Sequence, residues 1–193
     1  MYAKAVEIDP GYARAHAGIA ICDGYLTMSD PRMSWATALR ESEHALELEP
    51  NLAEAHAARG LALNGAGRLK EAALAFQQAL ELNPNLFEAC FFWGEVCQVQ
   101  DQREQAVALF QRAAELRPND YRSLGFLATA YKIMGDQDQA MAAARRCFER
   151  GHAGFRDLRS RAVCHRQHRR RRGERGALVH RWSLHPGGCR CGG

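Results

Sequence analysis

The chain has 193 residues, 47% of them hydrophobic and 25% charged, with a formal net charge of +4 at pH 7. This composition is ordinary for a globular protein and excludes a chain that is disordered throughout. No run of about eighteen apolar residues occurs, and no apolar segment precedes a cleavage site, so we expect neither a membrane-spanning helix nor a secretory signal. The expected location is the cytoplasm, where the seven cysteines stay reduced.

Charge is distributed unevenly along the chain. Residues 151–193 contain eleven arginines and no lysine against two acidic side chains, a net charge of +9. The preceding 150 residues carry 15 basic and 20 acidic side chains, a net charge of −5. Eight of the 17 glycines also lie in residues 151–193. Such an abrupt change predicts a boundary near Gly151.

The part before this boundary is an internal repeat. Residues 53–86 and 87–120 align as two full units of 34 residues without a gap. Both have glycine at position 8, alanine at positions 20 and 27, phenylalanine at position 24 and proline at position 32. Residues 13–50 and 121–150 are two further copies, so the repeat organises residues 1–150.

The chain begins with half of such a unit. Residues 1–10 correspond to the end of a second helix, with Tyr2 at the aromatic position and Pro10 at the proline position. Without its first helix, this half unit leaves an apolar face exposed, which is unusual for a terminal repeat. We therefore expect a fragment or a misassigned start, and self-association through that face is an alternative.

The first full copy, residues 13–50, lies in a longer spacing: Pro10 and Pro50 are 40 residues apart, six more than the 34 between Pro50 and Pro84. Its extra segment, TMSDPR, contains Pro31, which cannot continue a helix because it lacks the N–H group. We expect a loop near residues 29–33, between two helices.

The unit 53–86 predicts two helices. AEAHAARGLALNGAG has apolar residues at helical spacing and ends at Gly65 and Gly67. RLKEAALAFQQALELNP has a broad apolar face and ends at Pro84. We expect Asn85 or Asn119 to cap the helix that follows each proline.

The positions of small and large residues in the repeat predict how its helices pack. Gly60 and Ala72 allow two helices to approach closely, while Phe76 and Phe110 fill the gap between one pair and the next. One helix pair cannot cover its own apolar face, so neighbouring pairs must stack and bury a continuous core. The predicted fold is all-α, an α-solenoid of antiparallel helix pairs.

A 34-residue unit with these residues at positions 8, 20, 24, 27 and 32 resembles the tetratricopeptide repeat, over about residues 1–150. The resemblance implies a right-handed superhelix with a concave face. The phrases GYARAHAGIAICDGYL and NPNLFEACFFWGEV look like bacterial signalling proteins whose repeats accompany adenylate cyclase, protein kinase or winged-helix modules. Since no residue here matches those output modules, the resemblance implies only a sensing or scaffolding region.

In this family the first helix of each unit lines the concave groove. Carrying over the groove positions of the family gives a mixed surface that suits a protein or peptide ligand. Its members are Arg14, Tyr25, Asn64, Phe91, Glu95, Gln98, Arg122, Thr129 and Lys132. We expect Phe91, together with Tyr25 or Ile133, to anchor apolar side chains, and Arg122 and Lys132 to meet a carboxylate.

One branch of the family binds C-terminal carboxylates of chaperones through a clamp of lysine, asparagine and arginine. The matching positions here hold Ala17 and Ile21, or Ala57 and Leu61, so this clamp is absent and a chaperone-cofactor role is not expected.

The sequence predicts neither catalysis nor a cofactor. No G-x-S-x-G, Walker A, G-x-G-x-x-G or H-E-x-x-H motif occurs. We interpret His16 and His56 as core histidines. The cysteines before the boundary are interpreted as small buried hydrophobic residues: Cys22, Cys90, Cys97 and Cys147.

Residues 151–193 have three interpretations. The first is a disordered basic tail that binds nucleic acid or another polyanion through Arg169–Arg172, with Trp182 stacking on a base. The second is a metal site, which fits no usual zinc spacing. The third is out-of-frame sequence, which explains arginine, glycine and cysteine without lysine and the end of the repeat within a unit. Nucleic-acid binding is expected only if the tail is genuine. The metal ligands would be Cys164, His165, His168, Cys189 and Cys191.

Overall fold

The computed structural model describes residues 1–30 and 33–150. The described residues form helices and contain no strand, which confirms the all-α class. The helices are α1 (Tyr2–Ile8), α2 (Ala13–Ser29), α3 (Ala36–Leu48), α4 (Ala53–Gly65), α5 (Leu69–Leu82), α6 (Phe87–Val99), α7 (Arg103–Leu116), α8 (Tyr121–Met134) and α9 (Gln137–Arg150). None of these described helices is long and apolar enough to cross a membrane.

From α2 onward the helices pack as consecutive pairs that stack into a solenoid. The strongest contacts are within the pairs α2/α3, α4/α5, α6/α7 and α8/α9. We call the first members (α2, α4, α6 and α8) the inner helices and the second members (α3, α5, α7 and α9) the outer helices. The inner helix α4 contacts both α2 and α6, whereas the outer helices make no comparable contacts with one another. The inner helices α2, α4 and α6 therefore lie closer together than the outer helices do, as expected for the concave side of the stack.

The helix ends agree with the sequence pattern. α4 ends at Gly65, and Gly67 has a φ of +78°, a left-handed conformation that glycine adopts without strain. α5 ends at Leu82, two residues before Pro84. α2 ends at Ser29 and α3 begins at Ala36, which brackets the predicted loop at 29–33; residues 31 and 32 lie outside the described residues.

The predicted asparagine caps are wrong. Helix α6 begins after Leu86, which offers no side-chain acceptor, and α8 begins after Asp120. The Asp120 carboxylate accepts the backbone N–H of Arg122 at 3.0 Å, so an aspartate caps α8. Asn85 lies one residue too early to cap α6, and its side-chain oxygen instead accepts a hydrogen bond from Arg112.

Close helix contacts at glycines confirm the predicted packing. A Cβ added to Gly60 would lie 2.6 Å from the ring of Phe76, and one added to Gly94 would lie 2.7 Å from the ring of Phe110. Both rings are fully buried. At the start of the chain, Tyr2 of α1 lies against Gly18 of α2, where an added Cβ would be 2.6 Å from its ring.

The core histidine expectation holds for His16, which is 6% exposed. Its Nδ1 lies 2.9 Å from the Glu41 carboxylate of α3, and its Nε2 lies 3.0 Å from the Pro10 carbonyl oxygen. Because both ring nitrogens face oxygen acceptors, the protonated ring satisfies both contacts. His56 repeats only the second contact, with its Nε2 2.9 Å from the carbonyl oxygen of Pro50.

The cysteine expectation needs one correction. Cys90, Cys97 and Cys147 are buried, but Cys22 is exposed. The equivalent positions on the next two inner helices, Ala62 and Val96, are fully buried. The seven-residue helix α1, which packs against α2, does not cover Cys22.

Candidate partner-binding groove

The concave side brings together side chains that are far apart in sequence. Tyr25, near the end of α2, reaches past α4 to Phe92 on α6, with 5.7 Å between the ring centroids. Arg122, at the start of α8, places its guanidinium carbon 5.3 Å from the Phe91 centroid and 5.9 Å from the Tyr25 centroid. Three inner helices therefore meet at one cluster of aromatic and charged groups.

Arg122 is held in place by its own helix cap. Its Nε and Nη2 donate to the two carboxylate oxygens of Asp120, both at 3.1 Å. The Asp120 side chain is 13% exposed, whereas the Arg122 side chain is 41% exposed, so the guanidinium group remains accessible to water and to a ligand. Arg122 was expected to meet a carboxylate of a ligand, and in this structure it meets the carboxylate of Asp120.

Phe91 does not offer an exposed ring. It is 2% exposed, and its ring contacts four other phenylalanine rings with centroids 5.2 to 6.0 Å apart. The ring that was expected to anchor a ligand together with Tyr25 or Ile133 is therefore covered by neighbouring rings in this structure. The covering residues are Phe87, Phe92, Phe110 and Phe126. Phe91 forms the floor beneath Arg122.

Glu95, one turn beyond Phe91 on α6, has an unusual environment. It is half-buried and makes neither a hydrogen bond nor an ion pair within the described part of the chain. Burial raises its carboxyl pKa to about 7, against a smaller opposing effect of the nearby Arg122 charge. Glu95 therefore exchanges between its neutral and ionised forms near neutral pH.

The Tyr25 phenol is also partly desolvated. Burial raises the pKa of the Tyr25 phenol, which keeps it protonated and able to donate a hydrogen bond. Arg117 donates to Glu88 at 2.6 Å and lies 3.9 Å above the Phe87 ring. This second cation over an aromatic ring continues the same surface along α6.

The other predicted groove residues are spread along the inner helices. Arg14 lies in the first turn of α2 and Lys132 in the last turn of α8, and both are exposed. Thr129 is exposed on α8, where its hydroxyl donates to the carbonyl of Gly125 at 3.0 Å. Asn64 and Gln98 are half-buried near the ends of α4 and α6.

The sequence analysis missed Asp120, which both caps α8 and positions Arg122. Its place directly before an aromatic helix start was the available signal, because aspartate is a preferred residue for capping.

No group of three or more histidine, cysteine or acidic side chains within residues 1–30 and 33–150 could hold a metal ion. The cysteine–histidine set of the second tail interpretation and the arginines of the first lie outside the described residues.

Comparison with known proteins identifies the repeat. Residues 53–86 and residues 121–150 each match a family model described as a tetratricopeptide repeat. The chain contains tetratricopeptide repeats in these two segments. No curated protein matches this repeat protein in sequence.

Solved tetratricopeptide repeat structures share the fold of this repeat protein. TTC0263 of Thermus thermophilus, a thermophilic protein of the family, is 21% identical with a TM-score of 0.65, over 84% of this chain and 86% of that one. YrrB, described as having an unusual peptide-binding site, is 21% identical with a TM-score of 0.59, over 83% and 80%. MamA is 20% identical with a TM-score of 0.61, over 80% and 87%.

Proposed function

We propose that this repeat protein is a protein–protein interaction scaffold that binds a peptide or a partner helix along its inner helices. One observation carries the proposal: Tyr25, Glu95 and Arg122, from three different inner helices, share one concave cluster. Tyr25 and Glu95 are half-buried and Arg122 is exposed. Partly buried polar side chains that face an open surface are typical of a site that a ligand completes. A peptide laid along the inner helices would contact all three.

One of the structural neighbours supports the proposal of peptide binding. YrrB carries a peptide-binding site by its own description, on the same type of fold. Fold alone does not determine function. The argument therefore rests on the chemistry of the concave cluster, and YrrB adds only an example of this architecture with such a ligand.

We further propose that the scaffold is the sensing part of a bacterial signalling protein. The support is the amino-acid sequence of the first and third repeats, which resembles that of repeat arrays joined to cyclase, kinase or winged-helix modules. A sensing array would transmit partner binding to such a module by fixing the spacing and twist of its stacked pairs.

The groove is tested with variants that add bulk without touching the core. Peptides are selected from a random display library on the purified full chain, and their affinities are measured by fluorescence anisotropy. Thr129→Arg places a long side chain on the exposed part of α8, and the control Ala108→Arg places the same side chain on the exposed part of the outer helix α7. A Phe91→Ala variant is unsuitable, because losing a buried phenylalanine costs about 3–5 kcal/mol of stability.

The proposal predicts that Thr129→Arg weakens binding at least about tenfold, or about 1.4 kcal/mol, while Ala108→Arg binds like the unmodified chain. Equal affinities for all three proteins would show that the inner helices are not the binding surface. A library that yields no binding peptide would contradict peptide recognition itself.

A further inference from the structure

The concave cluster contains three acidic residues, Glu88, Glu95 and Asp120, and two basic residues, Arg117 and Arg122. Two of the three acids are paired with a base and one is not. Arg122 is paired with Asp120, and Arg117 is paired with Glu88. Glu95 is the remaining acid of the inner helix α6 and has no such partner within the described residues. Partial burial disfavours the ionised form of a carboxyl group, and a donor from a ligand would favour that form.

We propose that Glu95 receives a lysine or arginine side chain of the bound partner, so that the groove is selective for segments that carry a basic residue. This inference rests on the proposed function and names the chemistry of its ligand. A ligand ammonium or guanidinium group would supply the donor that Glu95 lacks and would favour its ionised form.

The surroundings of Glu95 suit a cation. The rings of Tyr25 and Phe91 already hold the Arg122 guanidinium at cation–π distances, so the walls of the cluster tolerate positive charge. Asp120 offsets the charge of Arg122. The first 150 residues carry a net charge of −5, which attracts basic segments over a longer range.

A partner carboxylate is the competing ligand, and the geometry favours it less. It would have to share Arg122 with Asp120, which already uses both the Nε and the Nη2 donors. It would also approach Glu95, whose ionised form repels it. A basic ligand meets neither obstacle.

Binding of a cation at Glu95 must depend on pH. Among the charged groups on the neighbouring helices, only Arg122 acts on the Glu95 carboxyl group. These groups are Glu54, His56 and Arg59 of α4, Lys70, Glu71 and Glu81 of α5, Arg103, Glu104, Arg112 and Glu115 of α7, and Arg122 and Lys132 of α8, beside Glu88 of α6 itself. Because the carboxyl pKa is about 7 in the free chain, ligand binding at or below neutral pH would release a proton.

The test uses two blocked, fluorescently labelled peptides that differ only in having lysine or glutamate at alternate positions between alanines. Affinities for the full chain are measured by anisotropy from about pH 6 to about pH 8, and proton release is measured by calorimetry in buffers of different ionisation enthalpy. The test variant is Glu95→Gln. The matched control is Glu104→Gln, which removes an exposed acid from the outer helix α7.

The proposal predicts that the lysine peptide binds about tenfold more tightly at about pH 8 than at about pH 6, as the Glu95 carboxyl group ionises. Glu95→Gln should weaken lysine-peptide binding about tenfold and abolish its pH dependence, while Glu104→Gln changes neither. The glutamate peptide should bind more weakly than the lysine peptide.

Three results would overturn the inference. One is a lysine peptide that binds Glu95→Gln and the unmodified chain equally. The second is preferential binding of the glutamate peptide. The third is a Glu95 carboxyl carbon that titrates in the free full chain at the ordinary value of glutamate, because the site would then already be solvated or occupied by another cation. If library peptides bind and lose affinity in Thr129→Arg while any of these results is found, the proposed function stands and only this inference fails.

Discussion

The contact between α6 and α7 at Gly94 predicts opposite effects for two glycine-to-alanine substitutions. A Cβ on Gly94 would lie 2.7, 2.9 and 3.0 Å from three ring atoms of Phe110. The Phe110 ring is fully buried and lies 6.0 Å from the Phe91 centroid and 5.4 Å from that of Phe126, so it has no free space to move into. In Gly125→Ala, by contrast, the new Cβ would meet only the sulfur of Cys147, at an ordinary 3.8 Å.

The expected free energies follow from two opposing effects. Alanine raises helix propensity over glycine by up to about 1 kcal/mol at either position. Overpacking a buried site costs about 1–3 kcal/mol, and only Gly94→Ala incurs it. We therefore expect Gly94→Ala to lower the free energy of unfolding by about 1 kcal/mol and Gly125→Ala to raise it by about 0.5–1 kcal/mol.

Urea unfolding followed by far-UV circular dichroism measures both variants against the unmodified chain. A shift of the midpoint with an unchanged slope reports stability alone. Adding Phe110→Leu to Gly94→Ala should cost less than the sum of the two single effects, because the smaller side chain relieves the clash. A Gly94→Ala variant as stable as Gly125→Ala would refute the close approach of α6 and α7.

Three further predictions concern a pH dependence, a cap and the thiols. Burial lowers the pKa of His16, but the contacts with Glu41 and the Pro10 carbonyl together outweigh this effect, so the pKa is raised. The protonated ring therefore contributes its full stability below the ordinary pKa of 6.5, and this contribution is lost as pH rises through the pKa of the folded chain. The stability difference between the unmodified chain and His16→Gln should therefore shrink from about pH 5.5 to about pH 8, and a constant difference would contradict this; His56→Gln, which removes a ring that contacts only a carbonyl, is the control. Asp120→Ala should lower the free energy of unfolding in urea by about 1 kcal/mol, whereas Asn119→Ala should leave it nearly unchanged. Equal effects of the two substitutions would contradict the capping role of Asp120. Iodoacetamide should alkylate exposed Cys22 in the folded chain and spare buried Cys90 and Cys97, whose pKa values are raised to about 11, and mass spectrometry of the peptides would expose any error in this order.

The repeat pattern was sufficient to predict the fold. Glycine at position 8 and phenylalanine at position 24 lie in contact because they belong to the two helices of one pair, and this local contact recurs in both full units. The helix ends at Gly65 and before Pro84 follow equally from backbone chemistry. These features depend on residues that are close in sequence.

The candidate site was only partly predictable because it depends on contacts between pairs that are not neighbours. The pattern placed Tyr25, Glu95 and Arg122 on inner helices, but the distance between α2 and α8 depends on the twist accumulated over the intervening pairs. The burial of Phe91 follows from a packing of five phenylalanine rings that no single repeat specifies. The raised pKa of Glu95 is a consequence of that same packing.

The most direct test of the account is hydrogen–deuterium exchange of the full chain with and without a library-selected peptide. If the inner helices form the binding surface, the peptide should slow exchange in α2, α4, α6 and α8, most strongly around Glu95 and Arg122, and leave the outer helices α5 and α7 unchanged. Protection confined to the outer helices, or binding without protection of any inner helix, would contradict the central claim.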